Sequence, residues 1–109
     1  MGLAVVRGRS MLPTLADGDR LLVRYDAVPL PGDLVVVRLP VRAGPGRGPL
    51  AVKRAARREA GGWFLERDNP LEGVDSWAIG LVPDHDLVAV VLARVWPPRA
   101  RRLRRAVTD

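Results

Sequence analysis

The sequence predicts an all-β domain: a small, twisted antiparallel sheet folded into a partly open barrel. Runs rich in valine and leucine recur along the chain, and glycine, proline and aspartate separate them, which is the pattern of short strands joined by tight turns. Helical periodicity is hard to find in any of these runs. At 109 residues the chain is long enough for one domain with a modest core.

Six strands are predicted in order along the chain, at residues 3–7, 20–25, 33–39, 51–58, 63–66 and 87–95. The sequences ADGD at 16–19 and LPGD at 30–33 carry the glycine and aspartate that tight turns favour. EAGG at 59–62 is expected to close a hairpin. The segment 40–49, with three prolines and three glycines, is interpreted as a loop between strands.

The positive charge is concentrated at the C-terminal end. The chain carries a net charge of +6, and the residues from Arg94 onward hold six arginines and one aspartate. We therefore divide the chain into a nearly neutral domain at 1–96 and a basic tail at 97–109. Such a tail suits contact with an acidic partner or membrane surface, but we expect no stable binding of nucleic acid.

Composition excludes several classes of site and location. The chain has no cysteine and one histidine, His85, so we expect neither a metal site nor any other cofactor. Its longest apolar runs fall well short of the ~20 residues of a membrane span, and its first residues do not form a signal peptide. The expected location is cytoplasmic, with peripheral attachment to a membrane as the alternative.

Two residues stand out as candidates for chemistry. Ser10 follows an arginine and precedes the sequence MLPT, and Lys53 is the only lysine among eighteen basic residues. A serine nucleophile needs a base, and a lysine in an apolar setting can lose its proton, whereas an arginine cannot. His85 is the alternative base, although it lies between two aspartates in a sequence typical of a solvated turn.

Four ordered segments carry a resemblance to a known family. GRSMLPTLADGDRLLV, PGDLVVVRLP, VKRA and ERDNPLEGVDSWAIGLVP resemble, in order and approximate spacing, the boxes of the type I signal peptidases. The short members called nickel-type superoxide dismutase maturation proteases are the most similar. The resemblance runs from about Val6 to Trp96 and implies a signal-peptidase-like catalytic core without the membrane anchor or the large second domain.

The resemblance also implies roles for individual residues. Ser10 corresponds to the nucleophile and Lys53 to its general base. Met11 and Pro13 resemble residues that shape the substrate cleft. Residues that resemble the acidic support box are Asp68, Asn69, Asp75 and Ser76.

The chain departs from the family pattern at four positions. Gly8 stands where larger members have a serine that helps bind the oxyanion, so the backbone N–H of Ser10 is expected to bind it instead. Gly73 replaces a serine near the lysine. Arg67 replaces the glycine that begins the support box, and Trp77 replaces an arginine that ends it.

The implied function is that of a soluble serine endopeptidase with a Ser-Lys dyad. It would remove an N-terminal propeptide from a protein precursor, and the resemblance points to the precursor of a nickel superoxide dismutase. Two alternatives stay open: a general signal-peptidase-like processing enzyme, and a noncatalytic binding module that uses the arginine-rich tail. The sequence leaves the oligomeric state open.

Overall fold

The fold is all-β, as the sequence predicts. A computed structural model describes residues 1–39, 48–71 and 80–97. Its strands are β1 (Gly2–Val5), β2 (Arg20–Tyr25), β3 (Leu34–Arg38), β4 (Leu50–Glu59), β5 (Gly62–Glu66), β6 (Val82–Pro83) and β7 (Leu87–Trp96). A 3-10 turn at Asp84–Asp86 separates the last two strands.

The strands form one antiparallel sheet in the order β1-β2-β7-β3-β4-β5-β6. Across the described ranges no pairing joins β1 to β6, so the sheet is curled but not closed. β7, the last strand, lies between β2 and β3. The N-terminal strands therefore pair with the rest of the sheet through the C-terminal strand. Along the same ranges, no helix is long and apolar enough to cross a bilayer.

The six predicted strands are all present, with ends that shift by one or two residues. β1 ends at Val5 rather than at residue 7, although the N–H of Val6 still donates to Asp19 in the register of the β1–β2 pair. The EAGG hairpin is confirmed between β4 and β5, with Gly61 in the left-handed region at φ 79°. β6 was not predicted, since two residues carry no periodic signal. Most of the predicted 40–49 loop lies outside the described residues.

The core consists of two clusters on opposite faces of β3. Alternate residues of this strand point to opposite faces, so Leu34 and Val36 belong to one cluster and Val35 and Val37 to the other. The first cluster also contains residues from the loop between β1 and β2, and the second contains the hairpin residues Trp63 and Leu65. β3 is therefore buried on both faces, which explains its unbroken valine run.

An exposed ion pair links the β4–β5 hairpin to the turn before β7. Both terminal nitrogens of Arg58 donate to the carboxylate of Asp84, at 2.7 and 2.8 Å. These hydrogen bonds hold the pKa of Asp84 below its ordinary value of 3.8. A lowered pKa means that the stabilisation is complete above about pH 4 and is lost as the pH falls through the value in the folded state.

We predict that Asp84→Asn lowers the melting temperature slightly at pH 7, because the pair is exposed and surface pairs contribute little. The difference from the wild type should shrink as the pH is lowered from 7 to 3, because the wild-type carboxylate then gains a proton. Thermal melts of both proteins at these two pH values measure this. A difference that grows on acidification contradicts the prediction.

Candidate functional site

Ser10 lies in the loop between β1 and β2, which we call the serine loop (residues 6–19). Two backbone hydrogen bonds close its base: the N–H of Val6 donates to Asp19 at 2.8 Å, and the N–H of Gly18 donates to Val6 at 2.8 Å. Gly8 and Gly18 adopt left-handed backbone angles at φ 84° and 90°. These two glycines allow the chain to leave and re-enter the sheet at neighbouring points.

Buried side chains anchor the loop to the first core cluster. Met11 and Leu15 are 2% and 0% exposed, and they pack with Val36 of β3. The N–H of Leu15 donates to the carbonyl of Met11 at 3.0 Å, which forms one helix-like turn. The anchoring keeps the neighbouring Ser10 at the surface, where it is half-buried.

Ser10 lines an open groove of about 280 Å³. One side of the groove is formed by β1 and the other by the start of β4, at Leu50, Ala51 and Val52. Met11 and Val36 contribute to its apolar floor. Of the two residues predicted to shape a substrate cleft, Met11 lines this groove, whereas Pro13 is exposed and does not line it.

Asn69 donates hydrogen bonds to the two backbone carbonyls on either side of the Ser10 α-carbon. Its backbone N–H donates to the carbonyl of Ser10 at 2.8 Å, and its side-chain Nδ2 donates to the carbonyl of Arg9 at 2.8 Å. The side-chain Oδ1 accepts from the N–H of Leu71 at 3.0 Å. Asn69 lies just after β5, so this residue connects the serine loop to the β4–β5 hairpin.

Asp68 makes a second connection to the same loop. Its carboxylate accepts a hydrogen bond from the hydroxyl of Thr14 at 2.6 Å and forms a buried ion pair with Arg54, whose side chain is 4% exposed. Arg54 follows Lys53 in β4. The predicted support residues Asp68 and Asn69 thus do contact the serine loop, through hydrogen bonds that the sequence alone did not specify.

Lys53 is buried, at 3% exposure. It pairs with Val35 of β3, and Val52 pairs with Val36, so strand alternation places Lys53 on the face of the second cluster and Val52 on the groove side. β5 pairs with β4 only from Arg54 onward. The edge of β4 at Lys53 is therefore not covered by β5, and near this uncovered edge the chain after β5 crosses to Ser10.

The amide groups near Ser10 differ in their hydrogen bonding. The N–H of Gly8 donates to the Oδ1 atom of Asp17 at 2.7 Å. The N–H of Ser10 donates to no acceptor within residues 1–39, 48–71 and 80–97. Of these two amides, that of Ser10 is the one open to a ligand.

Of the other predicted residues, His85 is described by the structure and two support residues are not. His85 is exposed in the 3-10 turn and does not line the groove. Among the described residues, no group of three or more histidines, cysteines, aspartates or glutamates is arranged to hold a metal ion. Asp75 and Ser76, together with the departures Gly73 and Trp77, lie outside the described residues.

Sequence reasoning did not identify three polar residues that support the serine loop: Thr14, Asp19 and Arg94. The sequence places Asp19 in a turn and Arg94 in the last predicted strand, and neither position indicates a contact with the serine loop. Arg94 is buried at the end of β7, where its Nη1 atom lies 3.7 Å from the carboxylate of Asp19. A useful signal was its position between apolar residues of a strand, since solvated arginines rarely alternate with a core pattern.

Comparison with known proteins supports the sequence resemblance at the level of the family. No curated protein and no solved structure gives a significant match. The family model described as Peptidase S24-like matches residues 1–91, which include the serine loop, the groove, Lys53 and all strands but the end of β7. The chain therefore belongs to the Peptidase S24-like family, a serine-protease-like assignment that agrees with its signal-peptidase-like boxes.

Proposed function

We propose that the protein is a serine endopeptidase in which Ser10 is the nucleophile and Lys53 the general base, and that it removes an N-terminal propeptide from a protein precursor. The observation that carries this proposal is the position of Ser10: a half-buried serine on a firmly anchored loop, facing an apolar groove, in a chain of the Peptidase S24-like family.

The anchoring of the loop suits a nucleophile. A reacting oxygen must be held close to its target, and a displacement of about 1 Å can cost on the order of 100-fold in rate. The carbonyls of Arg9 and Ser10 are both held by Asn69, and Met11 fixes the next residue in the core. Ser10 therefore has little freedom to leave the groove.

Lys53 is suited to the role of base because of its burial and its position at an open edge. An amine removed from water favours its neutral form, which accepts a proton. Its four-carbon chain is flexible, and β5 pairs with β4 only beyond Lys53, from Arg54 onward. The proposal requires the Nζ atom to come within about 2.6 to 3.2 Å of the Ser10 hydroxyl, or slightly more without substrate.

The reaction proceeds by acyl transfer. Neutral Lys53 takes the proton from the Ser10 hydroxyl as the oxygen attacks the peptide carbonyl carbon, and the lysine then gives this proton to the leaving amine. A water molecule next attacks the acyl-enzyme, with Lys53 again as base, and Ser10 is regenerated. The N–H of Ser10 is placed to bind the oxyanion, since it has no acceptor among the described residues.

The groove favours an extended peptide as substrate. β1 is at the edge of the sheet, and the start of β4 lacks a β5 partner. Both strands line the groove, so a peptide lying between them would meet an edge of β1 and an edge of β4 that no strand within residues 1–39, 48–71 and 80–97 pairs with there. Adding a strand in this way positions the scissile bond by main-chain hydrogen bonds.

The choice of substrate rests on the sequence resemblance, which suggests the precursor of a nickel superoxide dismutase. A general processing enzyme for signal peptides is the alternative within the same chemistry. A noncatalytic module that binds through its arginine-rich tail is the alternative of a different class, and it leaves the anchored serine without a role. For an enzyme that processes this dismutase precursor, we propose a cytoplasmic location.

We predict that Ser10→Ala and Lys53→Arg each abolish cleavage of a purified nickel superoxide dismutase precursor. The guanidinium of an arginine stays protonated and cannot accept the serine proton, so both variants lose one half of the same unit. Mass spectrometry of the released propeptide measures cleavage.

Arg57→Lys is the matched control, because it makes the reverse exchange at an exposed position of β4. This variant should cleave like the wild type. Lys53→Met, which removes the charge without adding bulk, separates loss of the base from loss of the fold when melting temperatures are compared. Near-normal turnover by a folded Lys53→Arg or Lys53→Met variant would exclude Lys53 as the base.

We further predict that a peptide spanning the precursor cleavage site binds in the groove. Added to the Ser10→Ala variant, it should shift the amide NMR signals of β1, of the serine loop and of the start of β4. Signals of the β4–β5 turn should stay in place. Shifts confined to the tail would favour the binding-module alternative.

Replacing Asn69 with aspartate tests the support of the Ser10 peptide. The aspartate keeps the shape and one acceptor but loses the Nδ2 donor to Arg9. The free energy of unfolding should fall by about 1 kcal/mol, amide hydrogen exchange in the serine loop should accelerate, and kcat should fall. An unchanged kcat together with faster exchange would show that Asn69 stabilises the loop without supporting catalysis.

A further inference from the structure

A second buried ion pair, besides that of Arg54 and Asp68, holds the serine loop. Arg94 and Asp19 have side chains that are only 2% and 8% exposed, and their charged groups lie 3.7 Å apart. Arg94 is on β7, in the middle of the sheet, and Asp19 is the last residue of the serine loop. The pair therefore joins the loop to a part of the sheet that does not line the groove beside Ser10.

Each partner also bonds the backbone of the loop. The Oδ2 atom of Asp19 accepts from the N–H of Ala16 at 2.9 Å, and the Nη1 atom of Arg94 donates to the carbonyl of Thr14 at 3.4 Å. The Nε atom of Arg94 donates to the carbonyl of Pro97 at 3.1 Å. Pro97, which the sequence analysis assigned to the tail, is thus part of the same network.

Thr14 is where the two ion pairs meet. Its hydroxyl donates to Asp68, the partner of Arg54, while its carbonyl accepts from Arg94. One helix-like turn separates Thr14 from Ser10. A displacement of Thr14 is therefore transmitted to the serine through a short, hydrogen-bonded segment.

The electrostatics argue for a positional role over one in stability. A buried ion pair gives up hydration that its attraction only partly replaces, and apolar residues of similar size often stabilise a fold as well or better. The loop already has apolar anchors in Met11 and Leu15. What Arg94 adds is direction, because its planar guanidinium donates to the carbonyls of Thr14 and Pro97 from fixed positions while it faces the carboxylate of Asp19.

We propose that Arg94 and Asp19 are positioning residues of the peptidase reaction: they set the height of the serine loop so that the Ser10 hydroxyl lies at the correct depth in the groove. This inference rests on the proposed function. It predicts that the pair affects the rate of the chemical step more than the binding of substrate.

The test is a double variant, Asp19→Asn with Arg94→Met, in the full chain. It removes both charges, leaves no unpaired ion in the core and keeps an acceptor for Ala16. With the purified nickel superoxide dismutase precursor as substrate, kcat should fall at least about tenfold while KM stays within about twofold, because substrate contacts remain and alignment is lost. The melting temperature should stay close to that of the wild type.

Arg58→Met with Asp84→Asn is the matched control, since it makes the same two substitutions at the exposed ion pair. This control should retain the wild-type kcat. If the double variant at positions 19 and 94 also retains it, the positioning role is wrong. Cleavage by Ser10→Ala in the same assay would instead overturn the proposed function itself.

Arg94→Lys decides the question if the double variant does not fold. It keeps a cation opposite Asp19 but lacks the fork that also holds the backbone carbonyls. A lower kcat at unchanged KM supports positioning, and a wild-type kcat overturns it.

Discussion

The buried ion pair between Arg54 and Asp68 is the contact on which the rest of the site depends. Arg54 donates to the carboxylate of Asp68 through Nε at 3.2 Å and to the carbonyl of Gly32 through Nη1 at 2.9 Å. It thereby fixes β4, the turn before β3 and the chain after β5 in one arrangement. Because an unpaired charge in this place would be very costly, these three segments must assemble together. The serine loop then packs against the chain after β5 through hydrogen bonds of Thr14 to Asp68 and of Asn69 to Arg9.

The two-faced burial of β3 explains how so small a sheet provides a rigid support. Leu34 and Val36 face the serine loop, and Val35 and Val37 face the hairpin. The loop and the hairpin therefore press on the same strand from opposite sides. Lys53 pairs with Val35 and is next to Val52, which lines the groove. Val52 and Lys53 thus point to opposite faces of β4, Val52 toward the groove that Ser10 lines and Lys53 toward the second cluster.

The sequence was sufficient to predict the all-β fold and six of its seven strands. Valine runs and glycine turns are local signals, and they placed six strands and the hairpin at Gly61 correctly. Asp68 and Asn69 were placed by resemblance, and the structure adds the bonds that they make. Thr14 and Arg94 were not found, because their roles depend on contacts between residues far apart in sequence, as between Arg94 and Thr14. The sequence does not predict β6, because a strand of two residues is too short to show an alternating pattern of apolar and polar residues.

The bare edge of β1 has a consequence for the behaviour of the protein in concentrated solution. A strand with unpaired backbone groups and no charge of its own, GLAV, is also a template for the same strand of another copy. The exposed arginines 7, 9 and 20 surround the end of this strand. Two copies that approach edge to edge bring these like charges together and repel each other. A neutral extended peptide meets no such repulsion, so charges that oppose pairing between two copies leave the edge of β1 accessible to a different kind of chain.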